Sequence, residues 1–534
     1  MGTYTNPTPT ASHAISSTFE LFFEDDINRT HSRRLMAYRR YWLYYLGRHW
    51  SYSRSDSDPV LTFNYCRRVI DLHNGFTFKK GFKVVIPDDP TTEHDDKEDR
   101  DFVRVMLEET WRKNNKSLWM IEAAQGGAVT GDVFARVAWD TTDPLEEPYA
   151  KVDLIPSHLC FPEFGGPHGV DKKKLKRILI VNPTYRESDL SAMVGPYARR
   201  NPKLMAPVEM VMMAEEWISA RYDRRTKQKI APSMVRYFEN KVLVEERENP
   251  LGDIPVVHIP NYPLSGEYYG ISDLADIIDL NKELNEKATD ISDIINYHGS
   301  PTTVLYGAKL KDLEKGANRI WALPENAKAE NLQLDGDLVA AQKHYSSIRS
   351  AILELSGTTE QSLGKFEGSV PPSGVALQLQ YLPLLDKRDL KVLTYGLGLR
   401  LINRIIMQIT EIGNSTFRKQ LKGLQGNKYR NEIVFPDPLP QDERRELEMS
   451  KERLALRLTA RRHELEKMGY SQAEIKDMLK AADKEAQEEM ESMFQPSART
   501  VEDNGKFQLN RGGANETRGE KIDNDLMEDD LRDE

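Results

Sequence analysis

The pattern of apolar positions divides the chain into three regimes. Over the first 130 residues they recur at helical spacing. "DDINRTHSRRLMAYRRYWLYYLGRHW" predicts an amphipathic helix from about Asp25 to Trp50 that packs its aromatic rings. "NYCRRVIDLHNGFTFKKG" predicts a second helix running into a turn. "DFVRVMLEETWRKNNKSLWMIEAAQGGAVTG" predicts helices broken at Gly126–Gly127. After Gly131 the period shortens to that of strands. "DVFARVAWD", "AKVDLIPSHLCF", "KLKRILIVN", "EMVMMAEEWISARYD", "SMVRYFEN" and "KVLVEERENPLGDIPVVHIPN" alternate and are rich in β-branched residues. The first 270 residues are therefore α+β.

The third regime begins with "GISDLADIIDLNKELNEKATDISDIINYHGSP", Gly270 to Pro301. It predicts one helix of about 27 residues, roughly 40 Å long. Ser272 is placed to cap its start, Gly299 to cap its end, and Pro301 stops continuation. Leu274, Ile277, Leu284, Ala288, Ile291 and Ile295 form a packing stripe. Seven carboxylates, Asp273, Asp276, Asp279, Glu283, Glu286, Asp290 and Asp293, follow at steps of three or four. Those from Asp276 onward fall within a wedge of roughly 100°. Neighbouring like charges cost a helix a few tenths of a kcal/mol per pair. Lys282 and Lys287 relieve part of that cost, and no histidine joins the acids as a metal ligand would. The residues alone leave the purpose of the row open: a solvated surface helix is the plain reading, and a metal site fits the regular spacing less well.

Past Pro301, "TTVLYG" and "RIWALPENA" are short strand candidates either side of "KLKDLEKGAN". A returning helix, "DLVAAQKHYSSIRSAILELSG", carries Leu338, Ala341, Tyr345, Ile348, Ile352 and Leu355 at helical spacing. Two helices thus enclose a small β tip. "TTEQSLGKFEGSVPPSG" is a Gly/Pro loop. It leads into a long apolar helix from Ser373 to Asn414, expected to kink at Pro383. "NEIVFPDPLPQ" is a strand ending in prolines. From Asp442 to Phe494 the chain is helical and densely charged, and Ser471 with Glu474 forms a capping box that restarts it after Gly469. Val501–Glu534 holds 11 acids against 5 bases with few large apolar residues, a composition expected to stay disordered.

Composition narrows the function classes. The 534 residues are 39% hydrophobic and 30% charged, with a formal net charge of −10, so global steering toward nucleic acid is not expected. Cys66 and Cys160 supply neither a disulfide framework nor a metal cluster. "MGTYTNPTPTASHAISSTF" lacks the basic and apolar regions of a signal peptide, and Asn6 breaks the myristoylation pattern. "VLTYGLGLRLINRIIMQITEIG" carries Arg400 and Arg404 and does not read as a membrane span. The expectation is a soluble protein or a component of a larger assembly.

Catalytic patterns fail one by one. "GGAVTGD" has P-loop glycine spacing, but Asp132 stands where the lysine belongs. "GLGLRL" lacks a third glycine, and "HELEK" at His463 lacks a second histidine. The pairs Asp56/Asp58 and Asp335/Asp337 are of a kind common in loops. The basic run "DKKKLKR" suits a solvated strand edge. No catalytic, cofactor-binding or metal-ligating residue is assigned.

The order of parts, with "NPLGDIPVVHIPN", "YGISDLADIIDLNKELNEKATDISDIIN", "SGVALQLQYLPLLDKRDL" and "NYCRRVIDLHNGFTFKKG", resembles the portal proteins of tailed bacteriophages, in particular the siphophage-type family. The resemblance spans about Tyr41 to Pro438. It implies a portal-type α+β fold: a flexible arm (1–24), an α/β wing (25–270 with 413–440), a stem helix (271–299), a β-containing clip (300–335), a second stem helix (336–357), a tunnel loop (358–373), a long kinked helix (374–412), a helical crown (441–495) and an acidic tail (496–534). It implies a homo-oligomeric ring, usually of twelve subunits, in the virion at one capsid vertex, assembled in the host cytoplasm. Double-stranded DNA would pass through its channel. The major capsid protein, scaffolding protein, terminase large subunit and head-completion or adaptor proteins would be its partners, with no cofactor and no membrane. The resemblance implies that a separate terminase ATPase would drive the DNA, which would account for the missing P-loop. Under this resemblance Asp279, Glu283, Glu286, Asp290 and Asp293 line the channel. Gly364, Lys365, Phe366, Gly368, Pro371 and Pro372 belong to the tunnel loop, and Arg319 and Trp321 to the clip that docks partners. The rival reading is a nucleic-acid-binding or scaffolding protein without a ring, using Arg33, Arg34, Arg39, Arg40, Arg67 and Arg68.

Overall fold

The computed structural model describes residues 26–50, 60–87, 97–141, 147–165, 171–187, 208–222, 226, 228–299, 303–306, 328–331, 338–364, 374–424, 428–439, 443–467 and 472–494. The chain forms two compact units, Met1–Pro440 and Gln441–Glu534. Among the described residues no helix is long and apolar enough to cross a membrane.

The first unit opens with helices α1 (Asp26–Tyr45) and α2 (Tyr65–Phe78), strand β1 (Lys83–Val85), and helices α3 (Lys97–Lys113) and α4 (Lys116–Thr130). The break expected at Gly126–Gly127 falls instead at Asn114–Asn115, where Asn115 takes φ +51°. The glycine pair lies inside α4 for a packing reason. A Cβ on Gly127 would sit 2.1 Å from the Tyr395 hydroxyl and 2.7 Å from Val133, so only glycine admits that close approach. The helix stops at Gly131, whose φ of +90° provides the left-handed cap.

Strands follow in the stretches whose alternation predicted them, except β8, which none of those stretches covers: β2 (Asp132–Asp140), β3 (Tyr149–Ile155), β4 (Cys160–Gly165), β5 (Asp171–Glu187), β6 (Val208–Ile218), β7 (Arg221–Tyr222), β8 (Lys229–Ala231), β9 (Met234–Glu239), β10 (Val242–Glu248) and β11 (Val256–Pro260). They build an antiparallel five-stranded sheet in the order β10-β9-β6-β5-β4 and a three-stranded sheet β11-β2-β3, with β7 and β8 a separate pair. In the long sheet, the basic run lies on a strand flanked on both sides rather than at a sheet edge: Lys176 and Arg177 both bond Glu163 on β4, and Arg177 also bonds Glu216 on β6.

Next come α5 (Ile278–Gly299), a hairpin of β12 (Thr303–Tyr306) with β13 (Lys328–Asn331), and α6 (Leu338–Ser356). The strand expected in 319–327 lies outside the described residues. The 40-residue α7 (Gly374–Gly413) runs through Pro383 as one helix, with the proline on its exposed side. After α8 (Ser415–Gly423), β14 (Glu432–Val434) pairs with β1 across more than three hundred residues of sequence. The second unit is helical: α9 (Glu443–Ala455), α10 (Arg461–Lys467) and α11 (Gln472–Phe494). Ser471, half of the expected capping box, and the 501–534 tail lie outside the described residues.

The main core joins the β11-β2-β3 sheet to α3, α4, α7 and α8, around Trp111, Tyr395, Leu399 and Ile406. A second core, with Cys66, Ile70, Ala128, Leu274, Ile277, Leu284, Ile348 and Ile352, ties α5 and α6 to α1, α2 and α4. Two expected packing residues do not take part: Ile295 is 50% exposed and Leu355 is 53% exposed. On α6 it is Leu353, two residues before Leu355 and on the other side of the helix, that is buried.

Candidate functional site

The acidic helix is shorter than its pattern suggested. It begins at Ile278 and spans 22 residues. The stretch before it is engaged elsewhere: the Ser272 hydroxyl donates to the carbonyls of Ala128 (3.1 Å) and Val129 (2.7 Å), and the Asp273 N–H to Ala128 (3.0 Å). These bonds satisfy the last carbonyls of α4, which have no partner within their own helix. Ser272 therefore anchors the junction rather than capping a longer helix.

Asp273 also leaves the acidic row. It is buried against Lys391 of α7 at 2.7 Å, with side chains 3% and 1% exposed. Asn261 donates to its other oxygen at 2.8 Å. Burial alone raises the Asp273 carboxyl; the Lys391 ammonium, helped by His73 and these hydrogen bonds, holds it below the ordinary carboxylate range. His73 nearby is pushed down to about 3, chiefly by burial, and bonds the Thr358 hydroxyl at 3.0 Å.

Five acids remain on α5: Asp279, Glu283, Glu286, Asp290 and Asp293. At 100° per residue they fall within a wedge of about 80°. The opposite side of the helix is packed. It carries Leu284 and Ala288 together with three buried polar residues, Asn281, Asn285 and Thr289, at steps of four. These three hold the extended residues 61–63 and the start of α2. Asn281 accepts from the Cys66 N–H (3.1 Å) and donates to the Phe63 carbonyl (2.8 Å). Asn285 accepts from the Phe63 N–H (2.8 Å), and Thr289 from the Leu61 N–H (3.2 Å). Side chains of a helix thus replace a neighbouring strand for this segment. With that face fixed, the acids are turned to solvent.

The row is not bare. Lys287 bonds Asp290 at 3.1 Å and lies 3.7 Å from Glu283, and Lys282 lies 3.7 Å from Glu286. The hydrogen bond to Asp290 raises the Lys287 ammonium above its ordinary range. Arg40 of α1 pairs with Asp279. Five carboxylates against these three bases leave a formal charge of −2 for each copy of the face.

Of the other sequence candidates, Gly364 sits after a short 3-10 turn (Gln361–Leu363) with φ +83°. Lys365, Phe366, Gly368, Pro371, Pro372, Arg319 and Trp321 lie outside the described residues. Arg34 is no free contact residue: it donates to the carbonyls of Ser157 (3.2 Å) and Cys160 (2.8 Å) and lies 4.4 Å over the Tyr269 ring. Arg67 pairs with Asp71, while Arg33, Arg39 and Arg68 are exposed. Among the described residues no group of three or more His, Cys, Asp or Glu side chains is placed to hold a metal ion.

Sequence reasoning missed the Asp273–Lys391 pair and the hub at Asp132, whose buried carboxylate accepts from Tyr38, from His258 (2.7 Å) and from the Gly270 N–H (2.9 Å). One signal was available for the pair. Lys391 falls on the same helical face as Leu384, Tyr395 and Ile402, all buried, so its ammonium needed an acid inside.

Residues 211–488, just over half of the chain, match the family model described as phage portal protein, SPP1 Gp6-like. No curated protein matches the chain.

Proposed function

The chain belongs to the SPP1 Gp6-like phage portal proteins, and on that premise we infer that it forms a ring at one capsid vertex through which double-stranded DNA is packaged and ejected, with the wet acidic face of α5 turned to the channel. The family is structural rather than catalytic. The β12–β13 tip would offer the docking surface for terminase during packaging and for head-completion or adaptor proteins afterwards. The major capsid and scaffolding proteins would surround the ring.

One observation carries the channel reading: Asp279, Glu283, Glu286, Asp290 and Asp293 project from the side of α5 opposite the one that the Asn281–Asn285–Thr289 ladder and Leu284 lock into the body. Duplex DNA carries one charge per about 1.7 Å of its axis. A basic wall would grip it through counterion release, with affinity that falls steeply with salt. An acidic wall repels phosphates from every side and leaves the duplex centred and free to slide. A net −2 per subunit is weak for one chain, but a closed ring repeats it around the whole circumference. The paired lysines and Arg40 favour the plainer reading of an ordinary solvated helix, and they make the net charge a quantity that mutation can move.

The first test is mass. Light scattering and negative-stain images of the purified chain should show a closed ring of many subunits. Only small compact particles at micromolar concentration would contradict the portal reading.

A further inference from the structure

We propose that the outward face of α7 is a seam covered by a second copy of this chain. The second copy is supplied by the ring inferred above. The seam identifies which surface meets it.

The inner face of α7 belongs to the main core, with Tyr395, Leu399, Ile402 and Ile406 fully buried. A surface helix would be polar on its other side. This one is not: Leu379, Leu382, Leu390, Leu393, Leu397 and Leu401 are each between 40% and 70% exposed. With Asp386 filling the one gap in the spacing, they fall in a single wedge of about 100°. A helix that is apolar all round is a buried helix. Among the described residues of the first unit, one of its two burial partners is missing.

The seam is large enough to matter. Its combined exposure equals about three whole leucine side chains, on the order of 500 Å² of apolar surface interrupted by Asp386, in the range of a monomer's largest patch. A matching area on a neighbour brings the total to about 1,000 Å², where specific interfaces begin. A groove of about 820 Å³ runs beside the lower half, lined by Leu397, Leu401, Arg404 and Ile405 on one side and Val256 and Tyr268 on the other. The Tyr268 hydroxyl is buried with no hydrogen-bond partner. The groove can take side chains from the neighbour.

Chemistry selects the occupant. Leucines offer nothing to a phosphate backbone, which excludes DNA. The charges along the seam are mixed, Asp386 toward one end and Arg400 and Arg404 toward the other, so neither a strongly acidic nor a strongly basic partner is favoured. Closed head-to-tail symmetry accounts for the seam economically. Each subunit covers its neighbour's seam with a different face of its own, and the ring leaves none exposed.

The test uses the full chain. Both native thiols, Cys66 and Cys160, are 0% exposed, so Leu393→Cys provides an accessible thiol of its own. Maleimide labelling of L393C should be at least tenfold slower in assembled rings than in unassembled chain. Equal rates would overturn the proposal and put α7 in open solvent, even with the ring intact. A second variant, Leu393→Glu with Leu397→Glu, should fold with native circular dichroism and stay unassembled by light scattering. Rings of normal mass from that variant would also overturn it. A wild-type chain that forms no ring removes the portal reading itself, so the two failures are separable.

Discussion

Replacing Lys391 with methionine removes the ammonium but keeps most of the packing volume. It leaves the Asp273 carboxylate buried without its 2.7 Å partner. Breaking a buried ion pair from one side costs about 3–5 kcal/mol, because the remaining charge has lost its compensation. For the unit Met1–Pro440, an unfolding entropy of roughly 2.1 cal/mol/K per residue gives about 0.9 kcal/mol/K. The thermal midpoint should therefore drop by about 3–5 °C. The paired change Asp273→Asn with Lys391→Met removes the stranded charge and should recover most of that loss, since replacing both partners of a buried pair is often near neutral. The pH dependence has a definite sign. In the wild type the folded Asp273 pKa is depressed, so its contribution is present above the unfolded value of about 3.9 and is lost as pH falls through the folded one. In K391M the unpaired carboxyl is raised by burial, so acidification protonates it and relieves the defect. The gap between wild type and K391M should be widest near neutral pH and should narrow as pH falls. Scanning fluorimetry of the unassembled chain measures all three proteins. A K391M loss under about 1 °C, or a double variant as unstable as K391M alone, would refute the account of the junction.

Asn285→Leu should cost about 1 kcal/mol, because the part-buried Phe63 N–H loses its 2.8 Å acceptor; hydrogen exchange of the 61–66 amides should rise in that variant, and unchanged exchange would contradict the ladder. Gly127→Ala should destabilise by about 1–3 kcal/mol through the clash with Tyr395, and Tyr395→Phe should restore only part of it because Val133 still stands 2.7 Å from the new methyl. Cys66 and Cys160 should not react with thiol reagents in the native chain: burial raises both thiols, Cys66 to about 12, and a thiol titration should find both only after denaturation.

What the sequence made legible was local. β2 spans the "DVFARVAWD" stretch because alternation and β-branching suffice to define it. The acidic face of α5 was readable because helical spacing fixes which residues share a side. Features settled by distant partners were not readable. Gly126–Gly127 read as a break because a close approach by Tyr395, more than 260 residues away, leaves no mark on the local pattern. The helix start at Ile278 depends on Ser272 and Asp273 bonding to α4. Asn281, Asn285 and Thr289 looked like ordinary polar positions, although their spacing of four marks a buried polar line once the acids are known to face away.

The central claim, an acidic face turned toward passing DNA, is tested most directly by replacing Glu283, Glu286, Asp290 and Asp293 with lysine together. The four residues lie on the wet side of α5, and lysine is as good a helix former, so folding and ring mass should be preserved. DNA packaged in a head-filling assay should fall, with DNA held on the ring in a manner that weakens steeply as salt rises. Packaging at the wild-type rate by an intact quadruple-variant ring would place the acidic face outside the channel.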